Sequence, residues 1–430
     1  MRREALLALI VAGCAAREAT PAVPGVSSAP SASESPGVTN PEAPAPVQRS
    51  AIVTPAASKA GTAPKKREAR PTVTSTVPLE KEPMMVQLLE DGGAALKKVL
   101  AAPETYRFQV VYSPIEDGKL ERHGYRADTE YFFPASSMKV PIVYATTARS
   151  TKAGITRDTP LRFASGGGDP ITTTIARETY RALIVSDNFS ANRLLAIGGH
   201  REIHEMLWSV GLKSARVRSG FATGADIDPA EVSPRIEIVD AKREIAPRKS
   251  DLALPPNDAK SMDIGKAQIL DGRRVEEPLS FANKNAMRLR ELQDTLIRIM
   301  RPDLMPDDSL TAPDREYLQK TLGTLPSESG LAGYDRNVVA DYQLNPILKG
   351  IERVRPRGKF KVYSKVGQAF GFLISNAYVV EVDTGRAFFL AAAIFANPDE
   401  VMNDDIYAYD TISFPTLADV GEVFTRAAFD

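Results

Sequence analysis

The stretch Phe133-Pro134-Ala135-Ser136-Ser137-Met138-Lys139-Val140 decides how this chain folds and what it does. Pro134 closes an extended segment, and a helical pattern runs from about Ser136 to Arg149. A helix that starts at Ser136 sets Lys139 one turn later on the same face, with its amine in reach of the Ser136 hydroxyl. A serine hydroxyl is a weak nucleophile until a neighbouring base takes its proton. A lysine becomes that base when desolvation and nearby cations lower its proton affinity. The helix N-terminus adds partial positive charge where negative charge develops at Ser136.

Two further short motifs follow. Ser186-Asp187-Asn188 lies in a break between helical patterns at Arg177–Ile184 and Asn192–Ile197, the latter stopped by Gly198-Gly199. Side chains in such a break project into a cleft. Ser186 is placed to relay a proton to a leaving nitrogen, and the Asn188 amide offers a substrate both a donor and an acceptor. Lys365-Val366-Gly367 is the third motif. Lys365 supplies a fixed positive charge for a substrate carboxylate and polarises Ser186. Gly367 lets a strand edge approach a ligand closely. At average residue usage, S-x-x-K and K-x-G each arise by chance about once or twice in such a chain, and S-D-N about once in ten chains.

In this order and context the three motifs resemble those of the class A β-lactamases and the wider superfamily of penicillin-binding proteins. The likeness covers about residues 84 to 430, with a poorly matched middle. It implies that Ser136 is acylated, that Lys139 is the base or part of the proton network, and that Ser186 is the proton shuttle. Asn188 and Lys365 bind substrate, and the backbone N–H groups of Ser136 and Gln368 form the oxyanion hole. The implied activity is a serine hydrolase acting through an acyl-enzyme on a β-lactam or a related amide or ester. The alternatives are a D-alanyl-D-alanine-type peptidase and a catalytically degenerate cell-wall-binding lipoprotein. No cofactor or metal is expected.

Three departures bear on turnover. The family's E-x-x-L-N segment, whose Glu activates the water that frees the acyl-enzyme, has no counterpart between Arg216 and Glu237, where Glu231 is the nearest candidate. Val366 stands where Thr or Ser is usual, which removes a hydroxyl expected to help hold a carboxylate. The second and third motifs are also far apart, which implies an insertion around 240–280.

Elsewhere the patterning predicts an α+β fold, an antiparallel sheet flanked by helices plus a mostly helical subdomain, and the resemblance implies that it is of the β-lactamase/transpeptidase-like kind. A helix is expected over Met84–Leu100. A hairpin pairs Tyr106–Tyr112 with Leu120–Tyr125 across Glu116-Asp117-Gly118. Further helices are expected at Glu202–Val210, Asn285–Met300, Ala312–Leu322 and Leu417–Ala428. Phe360–Tyr363 reads as a short strand, and Ala377–Val382 with Arg386–Ala396 as a hairpin. Residues 213–280 read as irregular. His200 and His204 do not match the H-E-x-x-H zinc pattern and are expected as solvated helix-face residues. His123 reads as a surface or cross-strand residue, Trp208 as core, and Gly166-Gly167-Gly168 as a flexible loop.

The N-terminus reads as a processing and anchoring signal. Met1-Arg2-Arg3 precedes the apolar run Ala5 to Val11 and the small residues Ala12-Gly13 before Cys14, the chain's single cysteine. Val11-Ala12-Gly13-Cys14 resembles the bacterial lipobox, which implies lipidation of Cys14 and an anchor on the membrane rather than a span. The expected location is the bacterial cell envelope, periplasmic and lipid-anchored, with Ala16 favouring the outer membrane. Residues 15–83, rich in Pro, Ala and Ser, read as a disordered tether, and 84–430 as the hydrolase domain. Lys+Arg and Asp+Glu are balanced at 54 each over 430 residues. That argues against a nucleic-acid partner bound by phosphate neutralisation. A monomer acting on a β-lactam or peptidoglycan-like small molecule is expected.

Overall fold

Long apolar runs at the C-terminal end of the chain form the centre of the molecule. Strands β4 (Phe360–Ala369), β5 (Phe372–Glu381) and β6 (Ala387–Phe395) are successive antiparallel hairpins. β6 then pairs with β1 (Gln109–Glu116) from the other end of the domain. The short strands β2 (Lys119–Leu120) and β3 (His123–Tyr125) pair with β1 in turn. The strand order is β4-β5-β6-β1-β2, so β4 is an edge strand. The computed structural model describes residues 82–164, 169–223, 228–335 and 337–430. Cys14, nearly all of the expected tether and Gly166–Gly168 lie outside the described residues.

Both faces of the sheet are covered, because residues alternate between two apolar clusters. Along β6, Phe389, Ala391 and Ala393 face one cluster, and Phe388, Leu390, Ala392 and Ile394 the other. The first cluster is built with α3 (Lys139–Lys152), α4 (Ile175–Ile184), α5 (Asn188–Gly198), α6 (His200–Ser209) and α7 (Leu289–Met300). Buried amides fasten α7 to the sheet: Gln293 accepts from Ser113 Oγ at 2.8 Å and donates to Val111 O at 3.0 Å, and Asn376 donates to Leu292 O at 2.9 Å. The second cluster takes in α1 (Pro83–Glu90), α2 (Ala94–Leu100), α9 (Leu348–Val354) and α10 (Phe414–Phe429). Helix α8 (Ala312–Leu322) packs against α4 and α7. The expected α+β class, with an antiparallel sheet flanked by helices and a mostly helical part beside it, is what the chain adopts.

Several expected elements change. Met84–Leu100 is two helices, because the chain breaks at Asp91-Gly92-Gly93. The strand expected at Phe360–Tyr363 continues to Ala369, so Lys365 and Gly367 lie inside β4. Its polar Ser364, Lys365 and Gln368 hide that continuation from a hydropathy pattern. The 213–280 region contains short strands. Ile236–Ile238 and Arg243–Ile245 join Leu161–Phe163 and Ile171–Thr173 in a four-stranded sheet. Ala267–Leu270 and Arg273–Val275 form a hairpin. Each is three or four residues long, too short for a period to register. His123 is a cross-strand residue as expected, opposite Tyr112 with Nδ1 on Glu82 at 2.8 Å.

Helices α9 and α10 cross at glycine. A Cβ on Gly350 would lie 1.8 Å from Ala418 O, so only glycine permits this approach. Gly350→Ala is expected to cost about 1–3 kcal/mol through overpacking. Thermal denaturation checks this, and an unchanged midpoint would mean that the helices do not pack this closely.

Candidate active site

Three pieces of backbone converge on one serine. The first is the Ser136 segment. Ala135 to Met138 form a 3-10 turn and the α-helix begins only at Lys139, so the helix expected from Ser136 starts three residues later. The turn is tight because Pro134 O accepts both the Ser137 N–H at 3.0 Å and the Ser137 hydroxyl at 2.6 Å. Ala135 enters it at φ 47°, a conformation that costs a residue with a Cβ. Ser136 remains partly accessible while Ser137, Met138 and Lys139 are buried.

The second piece is the break between α4 and α5. Ser186 reverses the chain at φ 60°, and Asp187 caps α5 by accepting the Ser190 N–H at 2.7 Å. Burial pushes the Asp187 carboxyl up, but the Ser190 bonds and the Arg181 guanidinium at 3.1 Å outweigh it and hold the group below its ordinary value. The left-handed turn leaves the Ser186 carbonyl and hydroxyl both facing Lys139.

The third piece is edge strand β4. Lys365 shares a strand face with Tyr363 and Gly367, whereas Val366 points to the opposite face, buried in the second apolar cluster. Gly367 faces protein. A Cβ there would lie 2.3 Å from Pro134 O, so glycine lets the strand press on the Ser136 turn rather than on a ligand. Phe370-Gly371 is a two-residue turn with φ 53° and 80°, which makes Ala369 and Phe372 the hydrogen-bonded pair nearest it. By alternation the Gln368 N–H points off the sheet edge, toward the side where the Ser136 turn lies.

The side chains meet as follows. Lys139 Nζ donates to Ser186 O at 2.5 Å, to Asn188 Oδ1 at 2.7 Å and to Ser186 Oγ at 3.2 Å. Lys365 Nζ donates to the same Ser186 Oγ at 3.0 Å and to Val366 O at 3.0 Å. Burial and the Lys365 charge hold Lys139 well below the usual lysine range, Asp187 opposing them. Burial lowers Lys365 to about 7. Two lysine donors occupy both lone pairs of the Ser186 hydroxyl, which leaves its own hydrogen to donate. Among the described residues Ser136 Oγ has no side-chain hydrogen bond, so the contact expected between Ser136 and Lys139 is not made in this arrangement. Asn188 differs from expectation too. Its oxygen is taken by Lys139 and one of its N–H groups donates to Ala222 O at 2.8 Å, so a single N–H remains for any ligand.

The sequence gives no warning of the segment that closes this cluster. Residues 217 to 222 are strapped in place by side chains. Val217 N–H donates to His204 Nε2 at 3.0 Å, and Val217 O faces His200 Nε2 at 3.0 Å. Asn285 accepts from Arg218 N and Ser219 N and donates to Ser219 O. Asn192 accepts from Phe221 N and donates to Phe221 O, each at 2.7 Å. The Phe221 ring then stands over Lys139 Nζ, 4.8 Å from centroid to nitrogen. His200 and His204 are therefore buried, not solvated. They fall with Ile203 and Leu207 at the i, i+3, i+4, i+7 spacing of the buried face of α6, a signal masked by their charged neighbours. Trp208, expected as core, is half-buried against His204 and beneath Arg216. Glu231 is exposed and spent on Lys249 at 3.0 Å. A cavity of about 330 Å³ lies apart from the lysine pair, and its Arg288 and Arg290 are already paired with Asp258 and Asp128.

A sequence profile of the beta-lactamase enzyme family (Beta-lactamase2) matches residues 93–273. That stretch holds Ser136, Lys139, Ser186 and Asn188 and ends before Lys365, and it bears out the resemblance read from the motifs. No curated protein matches the chain. Among solved structures, the chromosome-encoded beta-lactamase of Vibrio parahaemolyticus is 14% identical, with a TM-score of 0.48 over 79% of this chain and 98% of that one. The class A beta-lactamase from Mycobacterium abscessus is 17% identical, with a TM-score of 0.46 over 80% and 97%. A mutant of PBP-A, solved as an acyl-enzyme complex with penicillin G, is 13% identical, with a TM-score of 0.47 over 82% and 98%.

The strap has a pH dependence of its own. Val217 N–H donates to His204 Nε2, and Nδ1 lies 2.7 Å from His200 O, so His204 is neutral with its proton on Nδ1. Burial lowers its pKa from 6.5 to about 4. The unfolded chain therefore takes up this proton first as pH falls. The stability that neutral His204 contributes is complete above about pH 6.5 and is lost progressively down to about pH 4, on the order of 3 kcal/mol. Urea unfolding at pH 7 and pH 4.5 should show that loss reduced in His204→Phe. An identical pH slope in the two proteins would contradict it.

Proposed function

Because residues 93–273 are β-lactamase-like, we propose that the chain is a serine enzyme that forms an acyl-enzyme at Ser136 with a β-lactam or a related amide or ester. The observation that carries this is the pair of buried lysines on one serine hydroxyl. Burying two ammonium groups side by side opposes folding. A module that only bound cell wall would have no use for amines whose proton affinity is lowered in this way. An enzyme that must move a proton near neutral pH does.

We assign the roles as follows. Ser136 Oγ attacks the carbonyl carbon and the C–N bond breaks. The serine proton passes to Lys139, and Ser186 donates its own hydrogen to the leaving nitrogen and is reprotonated from the lysine pair. The Ser136 hydroxyl, with no side-chain partner before substrate arrives, turns toward Lys139 on binding, since catalytic hydrogen bonds tighten only in the complex. The developing oxyanion takes the N–H groups of Ser136 and Gln368. Lys365 attracts a substrate carboxylate through its charge. Asn188 mainly positions Lys139 and gives its remaining N–H to the substrate amide. A β-lactam and a D-alanyl-D-alanine-type peptide both present a carboxylate near the scissile amide, so both remain substrates of this reading. The location proposed with it is a lipid anchor at Cys14 in the bacterial envelope. Among the described residues no helix is long and apolar enough to cross a membrane.

A fluorescent penicillin is expected to label the protein covalently. Ser136→Ala should abolish the label, and Lys139→Met should slow labelling by about 10²-fold or more. Labelling of Ser136→Ala at the wild-type rate would overturn the assignment. Burial lowers Lys365 to about 7, so acylation by an anionic penicillin should decline as pH rises through that value. A profile flat from pH 6 to 9 would remove Lys365 from the carboxylate-binding role.

A further inference from the structure

We infer that Phe221 sets the lifetime of the acyl-enzyme by keeping water away from Lys139, which makes the chain a slow-releasing acyl-enzyme former rather than a rapid hydrolase. The inference rests on the acyl-enzyme reading and concerns the step after acylation. Hydrolysis of an ester on Ser136 requires a water oxygen to attack the acyl carbon while a base takes its proton, after which Ser136 Oγ leaves with a proton restored. Lys139 is the buried base at hand, and its surroundings are full. Its nitrogen already lies against three oxygens: Ser186 O, Ser186 Oγ and Asn188 Oδ1. The Phe221 ring covers a further side.

That ring is built in. It is 7% exposed and belongs to the first apolar cluster. Its backbone is held at both N–H and C=O by Asn192, and the next residue is held by Asn188 from the same helix, α5. Upstream, Asn285 and the two histidines fix the same segment, and the ring itself is packed in the first apolar cluster. A phenyl face attracts a cation but offers a water no lone pair to bond to, and a water needs two or more polar partners to stay. Glu231, the nearest sequence candidate for a carboxylate base, is engaged at the surface with Lys249.

The test separates formation of the adduct from its loss. Full-length wild-type protein, Phe221→Ala and Phe221→Leu are each acylated with fluorescent penicillin, freed of excess reagent, and followed for release. Phe221→Ala should release the acyl group at least about tenfold faster than wild type, while its acylation rate changes far less. Phe221→Leu refills the space with an apolar group and should keep the long lifetime. Equal lifetimes in all three proteins, with adduct forming in each, would overturn this inference and leave the acyl-enzyme reading standing. So would an alanine variant that fails to acylate while the leucine variant succeeds, because the ring would then build the site rather than exclude water. Absence of adduct in wild type would overturn both.

Discussion

Two lysine side chains reach one serine hydroxyl in the interior of this molecule, and the surrounding structure exists to keep them there. Lys139 and Lys365 are both buried, on different elements, and each donates to Ser186 Oγ. Like charges this close are tolerable only where the protein lowers the proton affinity of at least one and supplies acceptors to the rest. The acceptors here are the carbonyls of Ser186 and Val366 and the amide oxygen of Asn188. The Ser186 carbonyl is in place because Ser186 departs from ordinary helical geometry. Its φ of 60° aims both of its oxygens at the lysines. A second left-handed residue, Ala135, shapes the turn that presents Ser136. Both turns that frame the proposed chemistry thus carry a left-handed residue, and the helices and sheet around them hold that conformation in place.

The site is also held by unusual means. Residues 217 to 222 have no strand to pair with, yet Val217 and Phe221 are buried and the residues between them half-buried, where unpaired backbone groups are costly. Side chains make up the deficit. Asn192 and Asn285 each give an oxygen and a nitrogen to neighbouring peptide groups, and the two histidines of α6 do the same for Val217. This arrangement fixes Phe221 against Lys139 more rigidly than a loop held by solvent contacts would. It also ties the floor of the candidate site to neutral histidine.

How much of this the sequence carries depends on the kind of signal. Ser136, Lys139, Ser186 and Lys365 stand out because their residue types and spacings are chemical requirements, and the structure brings Lys139, Ser186 and Lys365 together. The sheet is legible where apolar runs are long, as in β5 and β6. It is not legible in β4, whose functional polar residues interrupt the pattern. Asn188 is found by its motif, but its bonds are not: a sequence cannot say that an amide will be consumed by Lys139 and Ala222. The strap is missed altogether. His200 and His204 look solvated because the residues that cover them, Val217 and Ser250 among them, lie in stretches with no period of their own. Gly367 is identified correctly as a close approach, with the wrong neighbour.

Lys139 and Lys365 sit buried together with lowered proton affinity, and the rest depends on it. The most direct test is the pH titration of lysine Cε signals by carbon-13 NMR, with assignment by Lys365→Met and Lys139→Met. The account predicts one lysine titrating at about pH 7, absent from the Lys365→Met spectrum, and a second, Lys139, well below the ordinary range. Every lysine titrating near 10.5, as in water, would show that the two amines are not held in this pocket and would contradict the account.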